Sequence, residues 1–329
     1  MTSSSGSDTG APHGRRAGVI RLGTRGSALA LWQARTVAAR ITASGGSPCE
    51  IVVIKTSGDQ IQDAPLSEIG GKRLFVKEIE DALLTGEIDL AVHSSKDMSV
   101  ALPDGLRIGA VLPREDPNDA VVLAPSDTMT LSTVEELIAR LGQKPSIGTG
   151  SVRRVSQLSR LLPKASFTPV RGNLDTRLRK LDEGQFDALV LAAAGLRRLG
   201  FERRISFLLP PAVCVPAPGQ GIVAMEIRDD DVDLLRTIAA IDDDVSHAAL
   251  MAERALVARL GGGCQTPIGA LASPTEDDGL EIIAAVTAPD GSRVVRSSSR
   301  GPRTRAVETG VSVAEELLAN GAGEILAGL

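Results

Sequence analysis

Five times along the chain, an apolar run of strand length gives way to a short polar or glycine-containing turn and then to a helical periodicity. "GVIRLGTRGSALALWQARTVAARI" reads as a strand to Leu22, a loop at Gly23 to Gly26 and a helix opening near Ser27. "EIDLAVHSSKDM" reads as a strand through Val92 followed by His93, Ser94, Ser95, Lys96 and Asp97. In "PSIGTGSVRRVSQLSRLL" a glycine turn enters a helix that Ser151 is placed to cap, with Arg153 and Arg154 in its first turn. "SFTPVRGNLDTRLRKLDEG" sets Arg171, Asn173 and Asp175 before a helix carrying Arg177, and "FDALVLAAAGLRRLG" ends on Arg197 and Arg198. Strand, crossover helix, strand is the pattern of an α/β fold with a largely parallel sheet. Ligands of open α/β sheets bind beyond the carboxyl ends of the strands, so all five polar sets are expected on one side.

Further helices fit between these units. "STVEELIARLG" carries a capping box at Thr133 and Glu136 and a glycine stop at Gly142, and "RLFVKEIEDALLTGEID" is amphipathic up to Gly86. After the proline-rich "LPPAVCVPAPGQGIVAMEIR" the pattern changes. A helix "VSHAALMAERALVARL" stops at a glycine run, then come strand-like "GALAS", "LEIIAAVTAP" and "SRVVRSSS" and a helix "SVAEELLANG", which together read as a separate α+β unit.

A length of 329 residues allows two or three domains, and 43% hydrophobic with 23% charged residues is ordinary for a globular chain. No apolar run reaches the roughly 18 residues of a membrane span. Residues 1–17 are polar and small with no apolar segment, so a disordered tail, no secretory signal and a cytoplasmic protein are expected. Cys49, Cys214 and Cys264 are odd in number and widely spaced, against a disulfide framework or a zinc site. Net charge is −5 and aromatics make up only 2%, which argues against a nucleic-acid partner. Yet arginines cluster between Arg153 and Arg204, which suggests a pocket for a small polyanion.

Each feature has a plainer reading beside it. Cys264 follows three glycines in "LGGGCQTP", more than a helix cap needs, and is either a thiol on a loop free to approach a cleft or an idle buried cysteine. The arginine clusters are either a site or solvated helix faces. "GTGSVR" lacks both the third glycine of a dinucleotide fingerprint and the lysine of a P-loop. Lys72 and Lys77 follow or lie near glycines and are anion ligands or surface lysines, while His93 reads as a structural histidine. Adjacent residues on extended backbone face opposite ways, so Lys96 and Asp97 are expected to have separate roles.

The stretches "GTRGSALALWQA", "GGKRLFVKEIE", "AVHSSKD", "GTGSVRR", "VRGNLDTRL", "LAAAGLRRLG", "PAPGQG" and "GGGCQTPIGA" together resemble the porphobilinogen deaminase (hydroxymethylbilane synthase) family, in its order and spacing from about Val19 onward. The resemblance implies two periplasmic-binding-protein-like, doubly wound α/β domains and a small α+β C-terminal domain. It sets the first domain at 18–115 with 216–241, the second at 116–215 and the third at 242–329. It implies a transferase of tetrapyrrole and heme biosynthesis, a monomer with porphobilinogen as substrate, no membrane partner, and possible hand-over of product to the next enzyme.

By the same resemblance Cys264 would carry a covalent dipyrromethane cofactor through a thioether, and Asp97 would be the catalytic carboxylate at the pyrrole nitrogens. Arg25, Ser27, Lys72, Ser94, Lys96, Ser151, Arg153, Arg154, Arg171, Arg177 and Arg198 would bind substrate or cofactor carboxylates, with Gln33 and Gln220 lining the cleft. The implied chemistry is loss of ammonia to an azafulvene-like electrophile, attack by the free α-carbon of the terminal pyrrole, four such additions, and hydrolysis. Glu68, Arg73 and Ser99 depart from the family's usual residues. A growing chain with an acetate and a propionate on every ring explains the need for many cations. A charge pair at 4 Å is worth roughly 4 kcal/mol at an effective dielectric near 20, and arginine adds forked geometry. Two rival readings are a non-catalytic two-lobed anion-binding protein and a cysteine hydrolase using Cys264 with His93 or His247.

Overall fold

The structure is a computed structural model that describes residues 18–56, 76–125, 131–263 and 266–329. Among the described residues, thirteen strands form three sheets. The first takes β1 (Ile20–Thr24), β2 (Cys49–Val53), β3 (Leu90–Ser94) and β4 (Leu106–Val111), together with β10 (Val223–Arg228), in the order β2-β1-β3-β10-β4. The second takes β5 (Asp119–Leu123), β6 (Ser146–Gly148), β7 (Ser166–Thr168), β8 (Ala188–Ala192) and β9 (Phe207–Leu209), in the order β7-β6-β8-β5-β9. In each, one strand entering from the crossing between lobes lies antiparallel to both neighbours: β10 between β3 and β4, and β5 between β8 and β9. The two lobes therefore repeat one topology, with the chain crossing between them twice.

Both sheets are covered on both faces. Along β3, Leu90 and Val92 pack with Val37 and Ile41 of the helix Ala28–Ala43, whereas Ala91 between them packs with Ile79 and Leu83 of the helix Lys77–Leu84. Along β5, Val121 and Leu123 join one apolar cluster and Ala120 and Val122 the opposite one. Period-two alternation with apolar residues on both sides is what a strand buried between helix layers requires. This makes each lobe a doubly wound α/β unit.

Local signals set the helix starts. Ser27 accepts from the Ala30 amide, Ser151 from Arg154 and Asn173 from Thr176, and Thr133 and Glu136 close a reciprocal capping box.

The third sheet, β11 (Ile268–Pro274), β12 (Gly279–Thr287) and β13 (Val294–Pro302), is an antiparallel meander packed on the helices Asp244–Leu260 and Ala306–Ala319. The latter helix starts earlier than "SVAEELLANG" suggests and runs through Gly310. A Cβ there would collide with the Ala252 carbonyl oxygen, so this glycine permits close helix contact. The α+β unit attaches to the second crossing: Ala270 N–H donates to the Pro216 carbonyl, and Gly269 leaves no room for a Cβ beside Val215. Among the described residues no helix is long and apolar enough to cross a membrane.

Candidate active site

The parallel strands β1, β3, β6, β7 and β8 all carry their predicted polar residues at the carboxyl end. In the first lobe this brings Arg25, Ser27, Gln33, Ser94 and Asp97 around one pocket, with His93 and Val92 also lining it. Arg25 and Ser27 come from the β1 loop, and Ser27 is fixed by capping the helix that presents Gln33. Gln33 is buried and donates from Nε2 to Ser94 Oγ at 2.8 Å, locking that helix to the end of β3. His93 Nε2 lies 3.0 Å from Glu226 Oε2 on β10, with both side chains buried.

Residues Ser95–Asp97 form a single 3₁₀ turn and not the extended segment expected from sequence. The turn closes because Met98 N–H donates to the Ser95 carbonyl and Ser95 N–H to that of Ile222, which pins the turn's start to the second crossing. It still separates the neighbours. Lys96 turns to Gln220, with Nζ 3.3 Å from Oε1, whereas Asp97 is exposed and lines the pocket. Burial pulls the Lys96 ammonium down to about 8, against the opposing field of Asp97.

Arg153 and Arg154 are buried and not a solvated helix face, and their partner is a residue the sequence reading missed. Asp119 at the start of β5 is fully buried; Arg153 Nη1 reaches its Oδ2 at 2.7 Å, and Arg154 Nε reaches Oδ1 at 2.9 Å. Gln220 Nε2 donates to the same Oδ1 at 2.9 Å and to the Pro117 carbonyl at 2.7 Å. Asp119 is held far below the usual carboxylate range: desolvation opposes ionisation, and the two guanidiniums outweigh it. "EDPNDAVVL" offered only an acid before an apolar strand, and its partners lie 34, 35 and 101 residues away.

Of the other predicted cations, Arg177, Arg198 and Arg171 come from the second lobe. Arg177 donates from Nε to the Gly172 carbonyl at 2.9 Å, and its guanidinium is pulled down by burial and then by Arg154 and Arg171, against the attraction of Asp97. Arg198 donates to the Gly221 carbonyl at 2.6 Å, stands 5.6 Å from the Trp32 ring centroid, and is lowered by burial to about 10. Arg171 is half-buried on the loop that opens the next helix, and Ser151 caps its own helix.

Lys72, Cys264, Glu68 and Arg73 lie outside the described residues. The helix that leads to Cys264 ends on Gly261 at φ 69°, a left-handed cap, and Gly263 N–H donates to Thr266 Oγ at 3.2 Å. Of the other thiols, Cys214 is buried against Asp119 and pushed up to about 12 by burial, and Cys49 is pushed up to about 11 for the same reason. The Ser99 carbonyl accepts from Arg254 Nη2 at 2.9 Å, a bond that does not depend on the Ser99 side chain.

The chemistry of this donor set fits a carboxylate-rich group. Lys96 and Arg177 are charged groups made less favourable by desolvation, Arg153 Nε is buried with no hydrogen-bond partner among the described residues, and Asp119 neutralises only part of the surrounding positive charge. An arriving carboxylate would offset the desolvation of Lys96 and Arg177 and the surplus positive charge.

Two family models match the chain: porphobilinogen deaminase, dipyromethane cofactor binding domain, over residues 20–236, and porphobilinogen deaminase, C-terminal domain, over residues 247–319. A porphobilinogen deaminase from Syntrophobacter fumaroxidans is 46% identical over 309 residues, covering 94% of this chain and 97% of that protein. Among solved structures, the VFT2 domain of Bordetella pertussis BvgS aligns at TM-score 0.40 and 15% identity over 68% of this chain and 87% of its own. Immunogenic lipoprotein A from Vibrio vulnificus aligns at TM-score 0.42 and 14% identity over 71% and 99%. The chain belongs to the porphobilinogen deaminase family, the hydroxymethylbilane synthases, which are transferases built on a dipyrromethane cofactor.

Proposed function

We propose that this protein condenses four porphobilinogen molecules head to tail, with loss of one ammonia per addition, and releases hydroxymethylbilane by hydrolysis. Cys264 is the residue that holds the dipyrromethane, and the first and second domains, 18–115 with 216–241 and 116–215, enclose the cleft that the third, 242–329, supplies with it. When bound, that group provides the free α-carbon from which the chain grows. The observation that best supports the reading is the exposed carboxylate of Asp97, which lines one pocket with Arg25, Ser27 and Ser94 and acts electrostatically on Lys96 of its own lobe and Arg177 of the other.

In each addition the aminomethyl carbon–nitrogen bond breaks, a carbon–carbon bond forms, and the proton on the attacked α-carbon is lost. Asp97 offsets positive charge on the pyrrole nitrogens during these steps and assists departure of ammonia. Lys96, Arg177, Arg171 and Arg198 hold acetate and propionate groups, and Arg25, Ser27 and Ser94 do so on the first-lobe side, where Gln33 fixes Ser94. Arg153 and Arg154 act from beneath through the donors that Asp119 leaves over. Lys72 is assigned the same task on the resemblance alone. A monomer in the cytoplasm completes the reading.

The test is whole-protein mass spectrometry after expression in a porphobilinogen-producing host. The parent should carry two pyrrole units and Cys264→Ser none, with turnover lost. An adduct that survives in Cys264→Ser, or that maps to Cys214, overturns the assignment. A bare parent that releases no ammonia from porphobilinogen would instead favour a two-lobed anion-binding protein, which membership of this family already disfavours.

A further inference from the structure

We propose that Asp119 is a positioning residue for the condensation, holding Arg153, Arg154 and, through Gln220, Lys96 as one rigid carboxylate-binding unit that spans the two lobes. The inference deepens the function proposed above and rests on it.

Asp119 sits where the chain enters the second lobe, and Gln220 where it has returned to the first. One carboxylate therefore joins elements that depend on both crossings. Its Oδ2 takes Arg153 Nη1 and the Cys214 thiol, and its Oδ1 takes Arg154 and Gln220. Gln220 is in turn oriented by the Pro117 carbonyl, so its amide nitrogen is spent on Asp119 and Pro117 and its oxygen faces Lys96 Nζ. The amide cannot flip without losing all of these contacts. Arg153 is likewise fixed by the Val215 carbonyl at 2.6 Å and Arg154 by that of Val190 at 2.8 Å.

The charges give the arrangement a purpose beyond stability. Three cations, Lys96, Arg153 and Arg154, are held by one buried anion, which leaves a surplus of two positive charges among groups whose rotamers are already fixed. The groups that act on Lys96 are Asp97 and Asp119, which favour its charge, and Arg153 and Arg154, which oppose it. Removing the charge of Asp119 leaves the two arginines acting on Lys96 with only Asp97 against them, so Lys96 loses its proton at lower pH.

The experiment compares the pH profile of kcat/KM for porphobilinogen in the cofactor-loaded parent, Asp119→Asn and Gln220→Met. Asp119→Asn keeps one acceptor oxygen and removes the charge; Gln220→Met keeps the volume and removes the bridge. Both should lose at least 10-fold in kcat/KM at pH 7.5, about the effect of one misplaced positioning group, and the basic limb of each profile should move to lower pH. A merely structural role would lower the melting temperature without moving that limb. If Asp119→Asn does not fold, Gln220→Met decides alone. A basic limb left in place in the folded variants overturns the proposal, whereas a parent that neither carries the cofactor nor consumes porphobilinogen overturns the function on which it rests.

Discussion

Glu253 on the helix that leads to Cys264 receives Arg114 of the first lobe at 2.6 Å, and the carboxylate is fully buried. Its two oxygens also accept the amides of Gly219, at 2.6 Å, and Ala272, at 2.7 Å. A single side chain thus ties the first lobe, the second crossing and the first strand of the third sheet together, close to the turn that carries Asp97.

Glu253→Ala should therefore be costly. It strands a largely buried guanidinium and leaves two buried amides without an acceptor, and breaking a buried pair from one side typically costs about 3 to 5 kcal/mol. Urea unfolding should show a loss in that range. A loss below about 1 kcal/mol would mean that water replaces the carboxylate and that the tie is weak.

Gly219 is the position where a small change should reach the chemistry. At φ 73° it occupies the left-handed region, and a Cβ would lie 2.6 Å from Ser95 Oγ, beneath the turn of Lys96 and Asp97. Gly219→Ala should lose about 1 to 2 kcal/mol from the backbone alone. It should also lower kcat by more than that stability loss predicts, because the turn must shift to make room. Stability measured beside kcat separates the two effects.

The parts of this fold that were legible in the sequence are those decided within a few residues. Ser27, Ser151 and the Thr133 to Glu136 box announce their helices because a cap needs only the next turn of chain. Asp119 was not legible, because its meaning comes from Arg153, Arg154 and Gln220, which only the double crossing brings to it. The turn at Ser95 was hidden for a related reason: its first amide is held by Ile222, more than a hundred residues away.

The thiols give a chemical check. With Cys49 at about 11 and Cys214 at about 12, the thiolate fraction at pH 8 is of order 100-fold or more below that of an ordinary cysteine near 8.5. In folded Cys264→Ser, iodoacetamide at pH 8 should label both sites slowly, with Cys214 also screened by burial, and unfolding should restore normal rates. Rapid labelling of Cys214 in the folded protein would contradict the buried hub.

Lys96 predicts a proton linkage. Its folded-state value of about 8 lies below the ordinary 10.4 of an unfolded lysine, so between those values the unfolded chain holds a proton that the ligand-free fold lacks. Its contribution to stability should then rise with pH across that window, the penalty being complete below about 8. A carboxylate bound beside it restores the charge. Titration at pH 8.5 with a pyrrole that carries acetate and propionate but no aminomethyl group should take up protons, seen as a heat that varies with the buffer's ionisation enthalpy. Lys96→Met should abolish the uptake.

Asp97→Asn is the sharpest test of the chemistry. The side chain is exposed at the pocket that also holds Arg25, Ser27 and Ser94, and it contributes to the field felt by its neighbour Lys96 and by Arg177 of the second lobe. Asparagine keeps its shape and one acceptor oxygen but removes the negative charge that would face the pyrrole nitrogens. Because the carboxylate is exposed, the melting temperature should move little, as for surface substitutions generally. A positioned acid or base is typically worth about 10² to 10⁴ in rate. Ammonia release should therefore fall at least 100-fold with KM for porphobilinogen changed far less, because the cations proposed to hold its carboxylates remain. Turnover within a few-fold of the parent, with the fold intact, would move the catalytic role to another group in the cleft. A collapse of stability would make Asp97 a structural residue, despite its exposure.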